Sequence, residues 1–288
     1  MGFGEQLQQY WYNHLDSNKE DRLPSWISKK KQKLESRGNK IPRIRGKGII
    51  LDNHEADNDE IKVDYKLGVT FFVKQGETSY YHEEEERIHR AIFYKDILIE
   101  DEEIKPAVQE ETTPTIDPLV QEESQPMRFE YDRRAAVQYA ERWWNDHNPA
   151  YKDFDVDCTN YVSQCLHAGG APMRGAPNRG SGWWYENNNW SYSWAVAHAL
   201  RWYLSGSNQG LKGKEVDDPK DLIPGDVICY DFEGDGRWNH NTIVVEKDSN
   251  GMPLVNAHTT NSRHRYWSYE DSYAWTPDIK YKFFRIGE

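Results

Sequence analysis

The sequence predicts two α+β domains joined by a linker, and three observations carry this. Residues 104–128, IKPAVQEETTPTIDPLVQEESQPMR, hold four of the 13 prolines (Pro106, Pro114, Pro118, Pro126) and almost no aromatic or periodic apolar signal. That is linker composition. Before it, two helical patterns precede stretches of strand character. After it the order is helix, helix, aromatic loop, helix, then strands, and this part holds ten of the 12 tryptophans and all three cysteines. A length of 288 residues suits two domains, since a domain takes roughly 150. Helices grouped ahead of strands indicate α+β rather than alternating α/β architecture.

In the first domain, residues 1–103, the opening helix is predicted over Glu5–Leu15. A second follows Pro24 and runs through WISKKKQKLESR to Gly38, placed as the residue just past its end. Three strand stretches come next: RIRGKGIIL, EIKVDYKLGVTFFVKQ and TSYYHEEEERIHRAIFYKDILI. The longer two have room for more than one strand each. Apolar alternation shows at Ile61, Val63 and Tyr65, and again at Ile92 and Tyr94. The segments DNHEADNDE and KQGETS suit antiparallel turns. The run Glu83–Glu86 reads as a solvated edge or turn, because like charges repel and rarely bury. Nothing in this domain concentrates a catalytic constellation.

Composition excludes several classes. The net charge of −12 and pI near 5.4 argue against a dedicated nucleic-acid binder. No apolar run reaches about 18 residues, so no membrane span is expected. The start MGFGEQLQQYWYNHLD shows neither a basic nor an apolar leader region, which suggests a cytoplasmic protein, or an extracellular or cell-wall one if a leader has been removed. Gly2 hints at myristoylation, but Gln6 stands where Ser or Thr is wanted. Three scattered cysteines suit a reducing compartment and make no disulfide framework. Mean hydropathy is −0.97, yet 12 Trp, 18 Tyr and 9 Phe supply bulk for a core.

In the second domain, residues 129–288, the informative stretch is Asp157-Cys158-Thr-Asn-Tyr161-Val162-Ser-Gln-Cys165-Leu166-His-Ala-Gly169-Gly170. From Cys158, apolar residues recur at offsets of three, four, seven and eight, one face of a helix. Asp157 is an N-cap type and Gly169-Gly170 a stop. Cys158 therefore falls in the first turn. There the free N–H groups and the dipole favour a thiolate and can also bind an oxyanion. The bland reading is a small packing residue, since cysteines are among the most buried types. Downstream, LIPGDVICYDF feeds a strand, Glu233–Gly236 turns, and WNHNTIVV returns with His240 at its start. His240 by itself reads more readily as a plain surface or hydrogen-bonded histidine. A third strand, PLVNAH, sets Asn256 and His258 on one face and Val255 and Ala257 on the other. Such a neighbour could orient an imidazole.

The segments YDRRAAVQYAERWWNDHNPAYKDFDVDCTNYVSQCLHAGGAPM, PGDVICYDF, WNHNTIVV and LVNAHTTN together resemble the putative amidase domain family of Bacillus-type bacteria. That family is similar to the papain-like clan of NlpC/P60 and CHAP cysteine hydrolases. The resemblance covers about residues 128–284. It implies a papain-like domain with helices packed on an antiparallel sheet. It also implies Cys158 as nucleophile, His240 as base, and His258 as the third residue with Asn256 as fallback. The implied activity is that of a cysteine amidase or peptidase acting on peptidoglycan or a related peptide. Many relatives carry Asp before the histidine and Ser after it; here these are Asn239 and Asn241, which tunes the site.

Among weaker signals, Gly180–Trp190 is a polar aromatic loop. Trp183 and Trp184, with Asp157 and Asn239, are assigned to substrate binding; the alternative is that the tryptophans cover the core edge. Asp231-x-Glu233-x-Asp235-Gly236 resembles the front of a calcium loop, but position twelve is Thr242, so a hairpin turn is the better reading. Neither HExxH nor CxxC occurs, so no metal and no cofactor are expected. Ser193 is expected to cap one helix through Leu204, with His198 on its surface. Cys165 and Cys229 are expected to be inert. Competing classes are a non-catalytic peptide- or glycan-binding module and an acyltransferase of the same clan. Oligomeric state is not readable from the sequence.

Overall fold

The computed structural model describes residues 1–16, 20–55, 59–105 and 129–287. Nearly all of the predicted linker 104–128 lies outside the described residues. The chain divides into two compact units. One comprises Met1–Pro106 with Thr260–Ser262 and Glu270–Tyr273, and the other Ala107–Thr259, Arg263–Tyr269 and Ala274–Glu288. The two short segments that join the first unit carry no composition shift, so the sequence did not separate them from their flanks.

In the first unit, α1 (Phe3–His14) and α2 (Ser25–Ser36) precede β1 (Asn39–Glu55), β2 (Glu60–Gln75), β3 (Ser79–Tyr94) and β4 (Ile97–Glu103). The strands pair antiparallel in sequence order. α1 begins two residues earlier than the apolar pattern suggests, because the Glu5 carboxylate accepts the Gly2 N–H (3.0 Å) and secures the first turn. Gly38 does end α2, at φ +79°. The stretch 60–75 is one strand and 78–99 holds two. Alternate residues of β2, from Val63 to Val73, are buried.

The Glu83–Glu86 reading is corrected here. These residues lie within β3, and alternation buries Glu83 and Glu85. The buried ammonium of Lys30 on α2 bridges Glu83, Glu85 and Asp271, the last at 2.8 Å. Arg87 takes the other oxygen of Glu85 and also Glu103, both at 2.8 Å. Charge on a core-facing strand survives because each carboxylate has a cation.

The second unit contains α3 (Arg133–Trp143), α4 (Cys158–Ala168), a two-residue pair β5 (Tyr185–Glu186) and β6 (Asn189–Trp190), α5 (Tyr192–Ala195) and α6 (Ala197–Gly206). The strands β7 (Gly213–Val216), β8 (Val227–Asp231), β9 (His240–Lys247), β10 (Pro253–Ala257), β11 (Ser262–Tyr266) and β12 (Lys280–Ile286) follow. Their order is β11-β10-β9-β8-β12-β7, with antiparallel pairing from β10 through to β7. The architecture is mixed α+β, a large antiparallel sheet with a few helices. Val227, Cys229, Ile243 and Val245 pack with the helices, through Tyr161, Val162, Cys165 and Leu166 of α4. The opposite sheet face carries Ile228, Tyr230, Val244, Val255 and Ala257, with Tyr269 and Phe283.

Three local expectations meet this framework. The hairpin turn after β8 is formed, its buried Asp231 carboxylate accepting the Gly234 and Gly236 N–H groups at 2.8 Å each. The helix expected from Ser193 is broken at Val196, whose extended backbone (φ −113°, ψ 123°) separates α5 from α6. β-branched Val favours that conformation over the helix. Ser193 does not cap it. Its hydroxyl is bound to the Gly182 carbonyl instead.

Candidate active site

Cys158 is the first residue of α4, and it is 2% exposed. Burial pushes its thiol pKa up, against an opposing pull from the backbone N–H of Asn241, the Thr159 hydroxyl and the Thr159 N–H. The two N–H groups belong to different elements, Thr159 to the start of α4 and Asn241 to β9. The Thr159 hydroxyl lies 3.7 Å from the sulfur and accepts from Asn241 Nδ2 at 3.0 Å. Thr159 and Asn241 thus form a polar collar around the sulfur. Sequence reasoning did not single out Thr159. A hydroxyl immediately after a helix-start cysteine was the available signal.

Asp157 does not cap the helix by its side chain. Its carboxylate is turned away: Oδ2 lies 2.7 Å from His258 Nδ1, and Oδ1 accepts from Asn160 Nδ2 at 2.8 Å. Both oxygens are held within the protein, so the substrate-binding assignment of Asp157 has no geometric support.

His240 opens β9, opposite Tyr230 of β8. Side chains alternate along a strand. Asn241 turns toward α4 through Thr159, and the His240 ring lies on the other side among Tyr269 (5.2 Å), Tyr230 (5.5 Å) and Phe232 (6.1 Å). Neither ring nitrogen makes a hydrogen bond within the described residues, and Nε2 is fully buried. Burial, reinforced by the charge of Arg265, lowers the His240 pKa to about 3, so the imidazole is neutral. No hydrogen bond joins it to Cys158. Asn241, whose backbone N–H lowers the Cys158 thiol pKa, is the residue after His240.

The expected third residue is not brought to His240. His258 commits both ring nitrogens elsewhere, Nδ1 to Asp157 and Nε2 to the Trp143 carbonyl (2.7 Å), and its ring stacks on Tyr161 with centroids 4.0 Å apart. Asn256 donates to Glu141 (2.9 Å) and accepts the His264 N–H (2.9 Å). The shared strand face of Asn256 and His258 was read correctly, but it points to α3 and α4, not to the His240 ring. Hydrogen bonds from His264 and Arg263 lower the Glu141 pKa to about 2, overcoming the opposing effect of burial.

The two loop tryptophans are sealed in the interior, while Asn239 is exposed. Trp183 and Trp184 are 0% and 2% exposed. Their indole N–H groups go to Ser163 Oγ (3.0 Å) and to the Asn178 and Ser181 carbonyls (3.1 Å each). They are core, held by exact polar satisfaction, and offer no face for a substrate. Asn239 Oδ1 accepts the Phe232 N–H (2.9 Å), closing the β8–β9 turn.

A family model described as "Putative amidase domain" matches residues 130–284, over half of the chain and every residue of this site. The chain belongs to that family. Membership points to hydrolysis of an amide bond. The chain is 52% identical over 265 residues to "Uncharacterized protein YhbB" of Bacillus subtilis (strain 168), an alignment spanning 90% of this chain and 85% of that protein. It is 34% identical over 140 residues to "Uncharacterized protein YjcM" of the same organism, spanning 46% of this chain and 31% of that protein. No solved structure matches. Among the described residues, no helix of the amidase domain or of the first unit is long and apolar enough to cross a membrane.

Proposed function

We propose that the amide hydrolysis proceeds through Cys158 as nucleophile, with His240 as base, on a peptide or peptidoglycan-type amide. The observation that carries the reading is the place of Cys158 as the first residue of α4, where the backbone N–H groups of Asn241 and Thr159 pull its thiol pKa down against burial. Such donors stabilise a thiolate and later an oxyanion, where a purely structural cysteine needs neither. Between the two histidines, His240 has both nitrogens uncommitted and a neutral ring, whereas His258 has none to spare.

In the proposed cycle the Cys158 S–H proton passes to His240 and the sulfur attacks the carbonyl carbon. The oxyanion collapses, and the amine leaves with the proton from the imidazolium. Water then hydrolyses the thioester and restores the thiol. Catalytic hydrogen bonds often form only in the substrate complex, and the proposal requires the His240 ring to leave Tyr230, Phe232 and Tyr269 on the other side of β9 and swing to the sulfur as the carbonyl enters. The papain-like relationship to NlpC/P60 and CHAP hydrolases, and independent folding of residues 129–288, belong to the same proposal. The test is acid quench of the full chain during turnover of a peptide amide, followed by mass spectrometry. An acyl adduct on the Cys158 peptide supports the reading. Turnover with no adduct on any cysteine, and unchanged by prior alkylation of Cys158, overturns it. A water-independent transfer of the acyl group to an added amine would instead identify an acyltransferase.

A further inference from the structure

His147, Asp157 and His258 come from three different places: the loop after α3, the residue before α4, and the residue after β10. Each presents one ligand atom, and the three atoms lie within 4.8 Å of one another. Asp157 and His258 are buried, while the His147 side chain is 42% exposed and opens the cluster to solvent. We infer that these three residues form a binding site for a zinc-type divalent cation.

The hydrogen bonding of His258 is the independent observation. Its ring lies between two acceptors, the Asp157 carboxylate on Nδ1 and the Trp143 carbonyl on Nε2, each at 2.7 Å. Acceptors on both sides require a proton on both nitrogens, or a cation in the place of one proton. A metal-bound histidine characteristically donates its other N–H to a backbone carbonyl, which fixes ring orientation, and Trp143 supplies that carbonyl. The Asp157 oxygen facing away from the cluster is held by Asn160, as a ligating carboxylate should be. A cation taking the Nδ1 position releases that proton to solvent.

The dimensions fit after small movements. Zinc bonds of about 2.0–2.2 Å in a tetrahedron set ligand atoms about 3.3 Å apart. His258 Nδ1 and Asp157 Oδ2 are 2.7 Å apart, and His147 Nδ1 and Asp157 Oδ2 are 3.8 Å apart. Each must change by about half an ångström, and the exposed His147 is free to do so. Water completes the tetrahedron, and the exposed Asp153, whose Oδ1 lies 3.0 Å from His147 Nδ1, must give up that contact as the imidazole turns to the cation. Two imidazoles and one carboxylate suit zinc rather than calcium or magnesium, which prefer oxygen. The other candidate cluster, Glu83, Glu85 and Asp271, already holds the Lys30 ammonium. The sequence hid the site because its members share no short spacing.

The inference does not rest on Cys158 being a nucleophile. The test is equilibrium dialysis of the full chain, freed of metal by a chelator, against zinc alone, with isothermal titration for affinity. One zinc per chain is expected. His147→Ala, an exposed change that leaves the core intact, should weaken binding about tenfold or more, and Asp157→Asn should abolish it. Cys158→Ser should retain it. No stoichiometric uptake, uptake indifferent to His147→Ala, or uptake lost in Cys158→Ser overturns the proposal. The last outcome would place the metal on the thiol.

Discussion

Replacing His240 by Phe should make the protein markedly less sensitive to acid. The ring sits among Tyr230, Phe232 and Tyr269, 9% exposed, and its pKa is lowered to about 3 by burial and by Arg265. In the unfolded chain the ordinary value of 6.5 applies. The folded pKa lies below the unfolded one, so between these values the unfolded state binds a proton that the native state does not. Stability from this group is therefore intact above pH 6.5 and drains away as pH falls toward 3. Each pH unit in that window costs about 1.4 kcal/mol, which gives a loss of about 3 kcal/mol on going from pH 7 to pH 4. Phe fills the same space, prefers the same aromatic surroundings and does not titrate. Urea unfolding at the two pH values, followed by tryptophan fluorescence, measures the loss in each protein. The pH 7-to-4 loss should be about 3 kcal/mol smaller in His240→Phe than in the wild type. Equal losses would show that the imidazole is solvated or paired, and the reasoning about its neutral state would fall with it.

Other outcomes follow from the same structure. Lys30→Met leaves Glu83, Glu85 and Asp271 buried without their shared cation, and should cost about 3–5 kcal/mol in thermal or urea unfolding. Glu141, with a pKa lowered to about 2, contributes stability that is present above its ordinary value of 4.5 and lost as pH falls through 2. Glu141→Gln should flatten that acid limb in pH-dependent unfolding. Trp183→Phe removes the bond to Ser163 from a sealed core, so it should lower stability by about 1–3 kcal/mol and leave KM unchanged. A raised KM with unchanged stability would return Trp183 to the substrate.

Most of what was legible in the sequence is periodic. The helix of Cys158, its end at Gly169, the hairpin around Asp231 and the two faces of β10 all follow from spacing, and each is present. What failed to show depends on partners distant in sequence. Glu83 and Glu85 look solvated until Lys30 arrives from α2 and Asp271 from 186 residues beyond Glu85. Trp183 and Trp184 look like a binding platform until Ser163 and two loop carbonyls take their N–H groups. Asp157 reads as a cap, but a histidine 101 residues away competes for its carboxylate and wins. Local pattern places a residue on an element and a face. The choice among possible hydrogen-bond partners is made by tertiary contact.

The central claim is that Cys158 carries the chemistry, and turnover of a peptide amide by Cys158→Ala, measured beside the wild type in matched folded samples, tests it most directly. The account predicts an unchanged melting profile and a rate lower by several orders of magnitude, as for loss of a covalent nucleophile. A folded Cys158→Ala protein that hydrolyses the amide at the wild-type rate, and loses that activity to a chelator, would contradict it and transfer the reaction to the cluster of His147, Asp157 and His258.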